Sequence, residues 1–173
     1  MRNLILAIIP ILFAISLTAQ DQVGDLIPLA DVPESKALVE HANAYAMAMV
    51  EKDYTKVASL THEDIVTMGG GETFLISDLE TQVGNLQRQG LKYVSAEVGS
   101  HPEFLTAGEE MQCVIPVKYH LDMNTKKVEA WSNLLAVSKD QGTSWKFVDL
   151  DKFDDASLRD FVKNISADFS FPR

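Results

Sequence analysis

Cysteine is nearly absent from this chain of 173 residues: Cys113 is the only one. A single thiol cannot close an internal disulfide, so the fold has to be held by its apolar core. Basic clusters are also missing, with no run longer than Lys126-Lys127 in a chain of formal net charge −10. Such a surface repels polyphosphates and anionic headgroups, which argues against nucleic acid as a partner and against binding to acidic membranes. The four histidines, His41, His62, His101 and His120, form no HExxH and no close Cys/His set. His120 and Asp122 could share a strand face, but two ligands make a weak site, so no metal is expected. Gly69-Gly70-Gly71 is not followed by Gly-Lys-Ser/Thr, and no Gly-x-Ser-x-Gly occurs. A phosphate loop and a nucleophile elbow are therefore excluded, and no cofactor is expected.

Long apolar runs are lacking except at the start, where Leu4 to Leu17 follow a single positive charge at Arg2. A run of this length is short for a bilayer span and has no basic stop-transfer flank, so residues 1–19 read as a cleaved export signal. Cleavage after Ala19 would leave Gln20 first, and no cysteine follows for lipid attachment. The expectation is a secreted or periplasmic protein with no membrane segment after cleavage. A remainder of this length buries about 70% of its unfolded surface, which suits one domain.

Residues 20–33 show no period and read as a leader. Asp31 and Glu34, with Pro33 between them, supply helix-start signals. Leu38, Val39, Ala42, Tyr45, Ala46, Met49 and Val50 recur at helical spacing and predict a helix over 34–51. Asp53 is placed to cap a second helix over 54–60. Ile65-Val66-Thr67-Met68 reads as a short strand before the glycine turn. Ser77 and Glu80 form a capping box for a third helix over 77–89, in which Leu79, Val83 and Leu86 keep helical spacing and Leu86 is expected in the core, with Gly90 as its stop. Beyond Gly90 the period becomes two, giving strands at about 91–99, 103–107, 110–121, 127–138 and 144–150. Short turns between them predict antiparallel neighbours. Pro116 lacks a ladder donor and implies an edge or a bulge in its strand. Asp154 or Asp155 can cap a last helix carrying Leu158, Phe161, Val162 and Ile165, followed by Phe169 and Phe171 in a tail expected to dock on the domain. Asn164-Ile165-Ser166 matches a glycosylation triplet, but it falls on this predicted helix. Together these elements make an α+β domain.

The order of elements resembles the nuclear transport factor 2-like superfamily, which includes ketosteroid isomerase and SnoaL-like polyketide cyclases and is also described as cystatin-like. The resemblance rests on the long helix ending in Glu51-Lys52-Asp53-Tyr54, on Val57-Ala58-Ser59-Leu60, on Asp64-Ile65-Val66-Thr67 and on Trp145-Lys146-Phe147-Val148. It covers about residues 34–150 and leaves 151–173 as a C-terminal helix and tail packing on the domain. It implies a cone-shaped fold, a curved antiparallel sheet wrapped around N-terminal helices, with an apolar pocket at the wide end. With Asp53 as anchor, Tyr45 falls where the isomerase has its oxyanion-binding tyrosine and Asn133 near its second donor, while the general-base position falls at Gly69. Glycine takes no proton, so the resemblance does not carry isomerase chemistry with it.

Trp131, Asn133, Leu135 and Val137 share one strand face, and Trp145, Phe147 and Asp149 share a face of the next; alternation leaves open which lines the pocket. The candidate ligand-binding residues are Tyr45, Met49, Tyr119, Trp131 and Asn133. Core packing accounts for the same aromatic residues. The expected function is a non-catalytic binding module for a small apolar ligand or a protein partner, with a homodimer through the sheet face as one arrangement. The alternative is a small isomerase, cyclase or dehydratase that draws its base from His62, Asp64 or Asp149.

Overall fold

In the computed structural model of the chain, residues 33–99, 103–124 and 126–170 are described; residues 1–19, where an export signal is expected, most of the expected leader and Phe171 lie outside them. Helix α1 spans Pro33–Glu51. Its stripe of Leu38, Ala42, Tyr45, Ala46 and Ala48 is buried, while Lys36, Glu40, Asn43 and Glu51 are exposed. The helix ends where Lys52 takes a left-handed conformation at φ 63°. Asp53 then caps α2 (Tyr54–Leu60) by accepting the Lys56 N–H at 3.0 Å.

A third short helix, α3 (Glu63–Met68), stands where the sequence suggests a strand. The β-branched run Ile65-Val66-Thr67 is overridden by its start. The His62 ring nitrogen accepts the Asp64 N–H at 3.2 Å, and Glu63 and Asp64 put negative charge in the first turn. Helix α4 (Glu72–Arg88) begins five residues before the expected capping box. Ser77 therefore lies inside it, its carbonyl accepting the Thr81 hydroxyl.

The strands are β1 (Leu91–Val98), β2 (Leu105–Ala107), β3 (Glu110–Met123), β4 (Lys126–Ser138) and β5 (Lys146–Asp149). They form one antiparallel sheet in the order β1-β3-β4-β5, with β2 continuing alongside β3. Pro116 thus sits in a central strand rather than at an edge, and the irregular register lies in β1 between Tyr93 and Ser95. The Pro116 carbonyl accepts the Gly99 N–H, so its missing donor also lies on the Gly99 side, just past the end of β1. No ladder bond to β4 is lost.

One sheet face carries Cys113, Ile115, Val117, Tyr119, Leu121, Leu134, Ala136 and Phe147 and packs against α1, α2 and α4. The other carries Leu135, Val137 and Val148 and is covered by α5 (Asp155–Phe161), Val162 and Phe169. Asp154 caps α5 through the Ser157 N–H at 2.7 Å. The helix stops at Phe161, so Asn164 lies in a turn at φ 60° instead of on a helix. Gln112 ties this turn to the sheet, donating to the Asn164 carbonyl and accepting the Ser166 N–H. At the far end, the Gly90 carbonyl accepts the Asn124 N–H at 3.0 Å and holds the start of β1 against the β3–β4 hairpin. A Cβ on Gly90 would lie 2.0 Å from Asn124 Oδ1, so glycine is required for this close approach as well as for φ 87°.

Candidate functional site

Where α1 ends, its last turn, α4 and the start of β1 do not close on one another. They leave a cavity of about 350 Å³. Its apolar walls are Met49 and Val50 from α1, Val83 from α4 and the Tyr93 ring from β1. Lys52, Gln87 and Lys92 complete the lining, and both lysines are exposed.

Behind Tyr93 the phenol rings continue inward. Tyr119 meets Tyr93 edge-on with centroids 5.2 Å apart, and Tyr45 leans on Phe147 at 5.4 Å. Burial raises all three phenols, and the negative charge of Asp149 adds to the rise in each; Tyr93 is pushed up to about 12. They remain neutral at any physiological pH. Thr61 stands beside the Tyr45 hydroxyl and lowers its pKa against the other effects, and the Thr61 hydroxyl donates to the Val57 carbonyl at 2.9 Å.

Asp149 is similarly engaged. Its Oδ1 accepts the Ser132 hydroxyl at 3.0 Å and the Asp151 N–H at 3.2 Å, and Lys152 Nζ lies 3.7 Å from Oδ2. Asp151 is pushed up to about 6 by desolvation and by the Asp149 charge, with nearby Ser132, the Asn133 backbone and Lys152 opposing the rise. Cys113 is buried, and burial pushes its thiol up to about 12, so it stays protonated and unreactive.

Of the five residues expected to bind ligand, Met49 lines the cavity, and Tyr45 and Tyr119 lie in the apolar layer to which it belongs. Trp131 and Asn133 do not join them. Ser132, Leu134 and Ala136 turn toward the helices, so the alternation of β4 sends Trp131 and Asn133 to the opposite face with Leu135 and Val137. Trp131 is 62% exposed, with Lys118 Nζ 5.6 Å from its ring centre. Gly69, where the resemblance puts the general-base position, ends α3 at a turn. Sequence reasoning missed Val83 as a wall, although it lies on a predicted helical stripe, and Tyr93, although it alternates in phase with buried Leu91. Nothing local marks Lys52 and Lys92.

His62 is 2% exposed and lies away from the cavity lining. Its Nδ1 accepts the Asp64 N–H, and Nε2 is buried without a hydrogen-bond partner. Burial pushes the imidazole below its ordinary value of 6.5, and Lys139 adds to this, while Glu63, Asp64 and Glu110 oppose it. A histidine depressed in the folded state is protonated more readily when unfolded. Its contribution is therefore complete above about pH 6.5 and is lost as the pH falls below that value. Denaturant midpoints between about pH 7.5 and pH 5 will show a steeper acid loss in the wild type than in His62→Gln; parallel profiles would contradict this linkage. Among the described residues no three His, Cys, Asp or Glu side chains are placed to hold a metal. No family model matches the chain, and no curated protein matches it significantly.

Proposed function

We propose that this chain is an exported, non-catalytic binding module that takes a small, mostly apolar ligand in the cavity between α1, α4 and β1. The carrying observation is the cavity's chemistry: aliphatic and aromatic walls with no carboxylate, imidazole or thiol among its lining residues. About 350 Å³ is within the range of small-molecule sites, at its lower end. The reading extends to a nuclear transport factor 2-like cone, its sheet curving around α1 and α4. The order of helices before an antiparallel sheet supports this. The apolar leader with its single early charge supports a secreted or periplasmic location. Pairing of two copies through the outer sheet face is supported by exposed Trp131 and Val94 beside the mixed charges of Glu97, Lys118, His120 and Glu129.

The enzyme reading has one observation in its favour, the Asp149 carboxylate on the helix-facing side of the sheet. That carboxylate is held by two donors and faces Lys152, and the Tyr45 phenol is buried with its pKa raised. Binding without chemistry accounts for both.

Calorimetry with 2-naphthamide, a neutral aromatic probe, tests the proposal. Wild-type protein should bind it saturably, and Met49→Trp, which fills the cavity from a half-buried position, should weaken binding by about tenfold or more. Equal affinity of the two proteins, with unchanged thermal melts, would place the probe elsewhere.

A further inference from the structure

The tail covers the outer sheet face around Leu135, Val137 and Val148; farther along, the same face carries Trp131 and Val94, 62% and 52% exposed. Strand alternation also sends Lys92 there, between helix-facing Leu91 and Tyr93. Register groups the outward side chains of β1, β3 and β4 into three rows across the sheet. The first row is Glu97, Lys118 and Trp131. The second is Ser95 with its bulge neighbour Val94, then His120 and Glu129. The third is Lys92, Asp122 and Lys127. Within one chain the first two rows are already joined. Lys118 Nζ lies 2.8 Å from Glu97 Oε2 and 5.6 Å from the Trp131 ring centre, and His120 lies 2.9 Å from Glu97 and 3.5 Å from Glu129.

The order of charge in these rows decides how two such faces can meet. Two identical sheets packed face to face are related by a twofold axis lying between them, along β3 or along the rows. An axis along β3 sets Lys118 on Lys118 and Asp122 on Asp122, and brings Lys92 of β1 over Lys127 of β4. Every contact between charges is then like on like. An axis along the second row exchanges the first row with the third. Glu97 then meets Lys92, Lys118 meets Asp122, and the Trp131 ring meets Lys127, each contact formed twice. Val94 meets Val94 beside them. Glu129 meets its own copy, with His120 next to it on each side to offset the repulsion.

We infer that two copies of this chain pair through the outer faces of β1, β3 and β4 about a twofold axis along the Ser95–His120–Glu129 row. This rests on the sheet-pairing reading above and adds the register of the two copies. Trp131 and Val94 supply the apolar anchors, and the exchanged charges fix the orientation. A face three strands wide, about 15 Å by about 20 Å, is small for a specific interface, so the dimer should dissociate with a constant on the order of micromolar.

Analytical ultracentrifugation of the purified protein at low salt, over concentrations that bracket this constant, provides the test. Wild type should pass from monomer to dimer, and Trp131→Ala should weaken pairing by about tenfold. Lys92→Glu should also weaken it by about tenfold or more, because a carboxylate then stands over Glu97 of the other copy at two symmetric contacts. In a Glu97→Gln background the same change should cost about threefold or less, since the two positions couple only across the interface. All three positions are exposed, so the variants keep the fold. With an axis along β3 the new carboxylate would instead meet Lys127, and Lys92→Glu would tighten the dimer. Tightening, an unchanged constant, or an equal loss in the Glu97→Gln background overturns this register and leaves sheet pairing standing. A wild type that stays monomeric at every concentration, or a dimer indifferent to Trp131→Ala, removes sheet pairing and this inference with it.

Discussion

Deleting residues 154–173 should leave a protein that is mostly unfolded or aggregated. Leu158, Val162 and Phe169 are at most 5% exposed and cover Leu135, Val137, Val148 and Leu150 on the outer sheet face. Full burial of such side chains contributes about 1.5–3 kcal/mol each, so the three together approach the whole stability of a typical domain, about 5–15 kcal/mol. The loss is compounded by polar links. Gln112 is completely buried and would lose both its partners in the 164–166 turn, while Arg159, which donates to the Ser166 and Phe169 carbonyls, would go with the tail. Circular dichroism and size-exclusion chromatography of the truncated chain check this. A monomer melting with the full-length protein would mean that the tail is not part of the folded unit.

Phe147→Ala is expected to cost about 3–5 kcal/mol by cavity formation. The side chain is 0% exposed and packs on Tyr45, while its backbone carbonyl accepts the His62 N–H at 2.9 Å beside the bridge to Thr61. Phe147 therefore fixes both the helix layer and the turn between α2 and α3. Leu86→Ala should cost markedly less, because Leu86 is half-buried rather than enclosed as its helical stripe suggests. Denaturant unfolding of the two variants measures the difference, and equal losses would show that burial does not rank these positions.

What could be read in the sequence follows the physics that is local. The α1 stripe, the Asp53 and Asp154 caps and the alternation along β3 are set by neighbours a few residues away, and each lies where its pattern puts it. Ile65-Val66-Thr67 misleads because six residues cannot display a helical period and β-branching favours a strand. The deciding groups, the His62 ring and the acidic first turn, stand just before the run. Pro116's own strand does not show that its missing donor falls just past the end of β1, a neighbour far off in sequence. The choice of face on β4 is of the same kind. Alternation groups Trp131 with Asn133, but only the packing of helices against Leu134 and Ala136 decides that this pair faces outward. Lys52 and Lys92 are forty residues apart by number, and the fold alone brings them into the lining of one cavity.

The most direct test of the ligand-binding cavity is chemical-shift mapping of the labelled protein during titration with 2-naphthamide. Saturable shifts should concentrate at the methyl groups of Met49, Val50 and Val83 and at Tyr93, with Val114 and Trp131 on the outer sheet face unmoved. Shifts confined to Trp131 and Val94, or no saturable shift at all, would contradict the account.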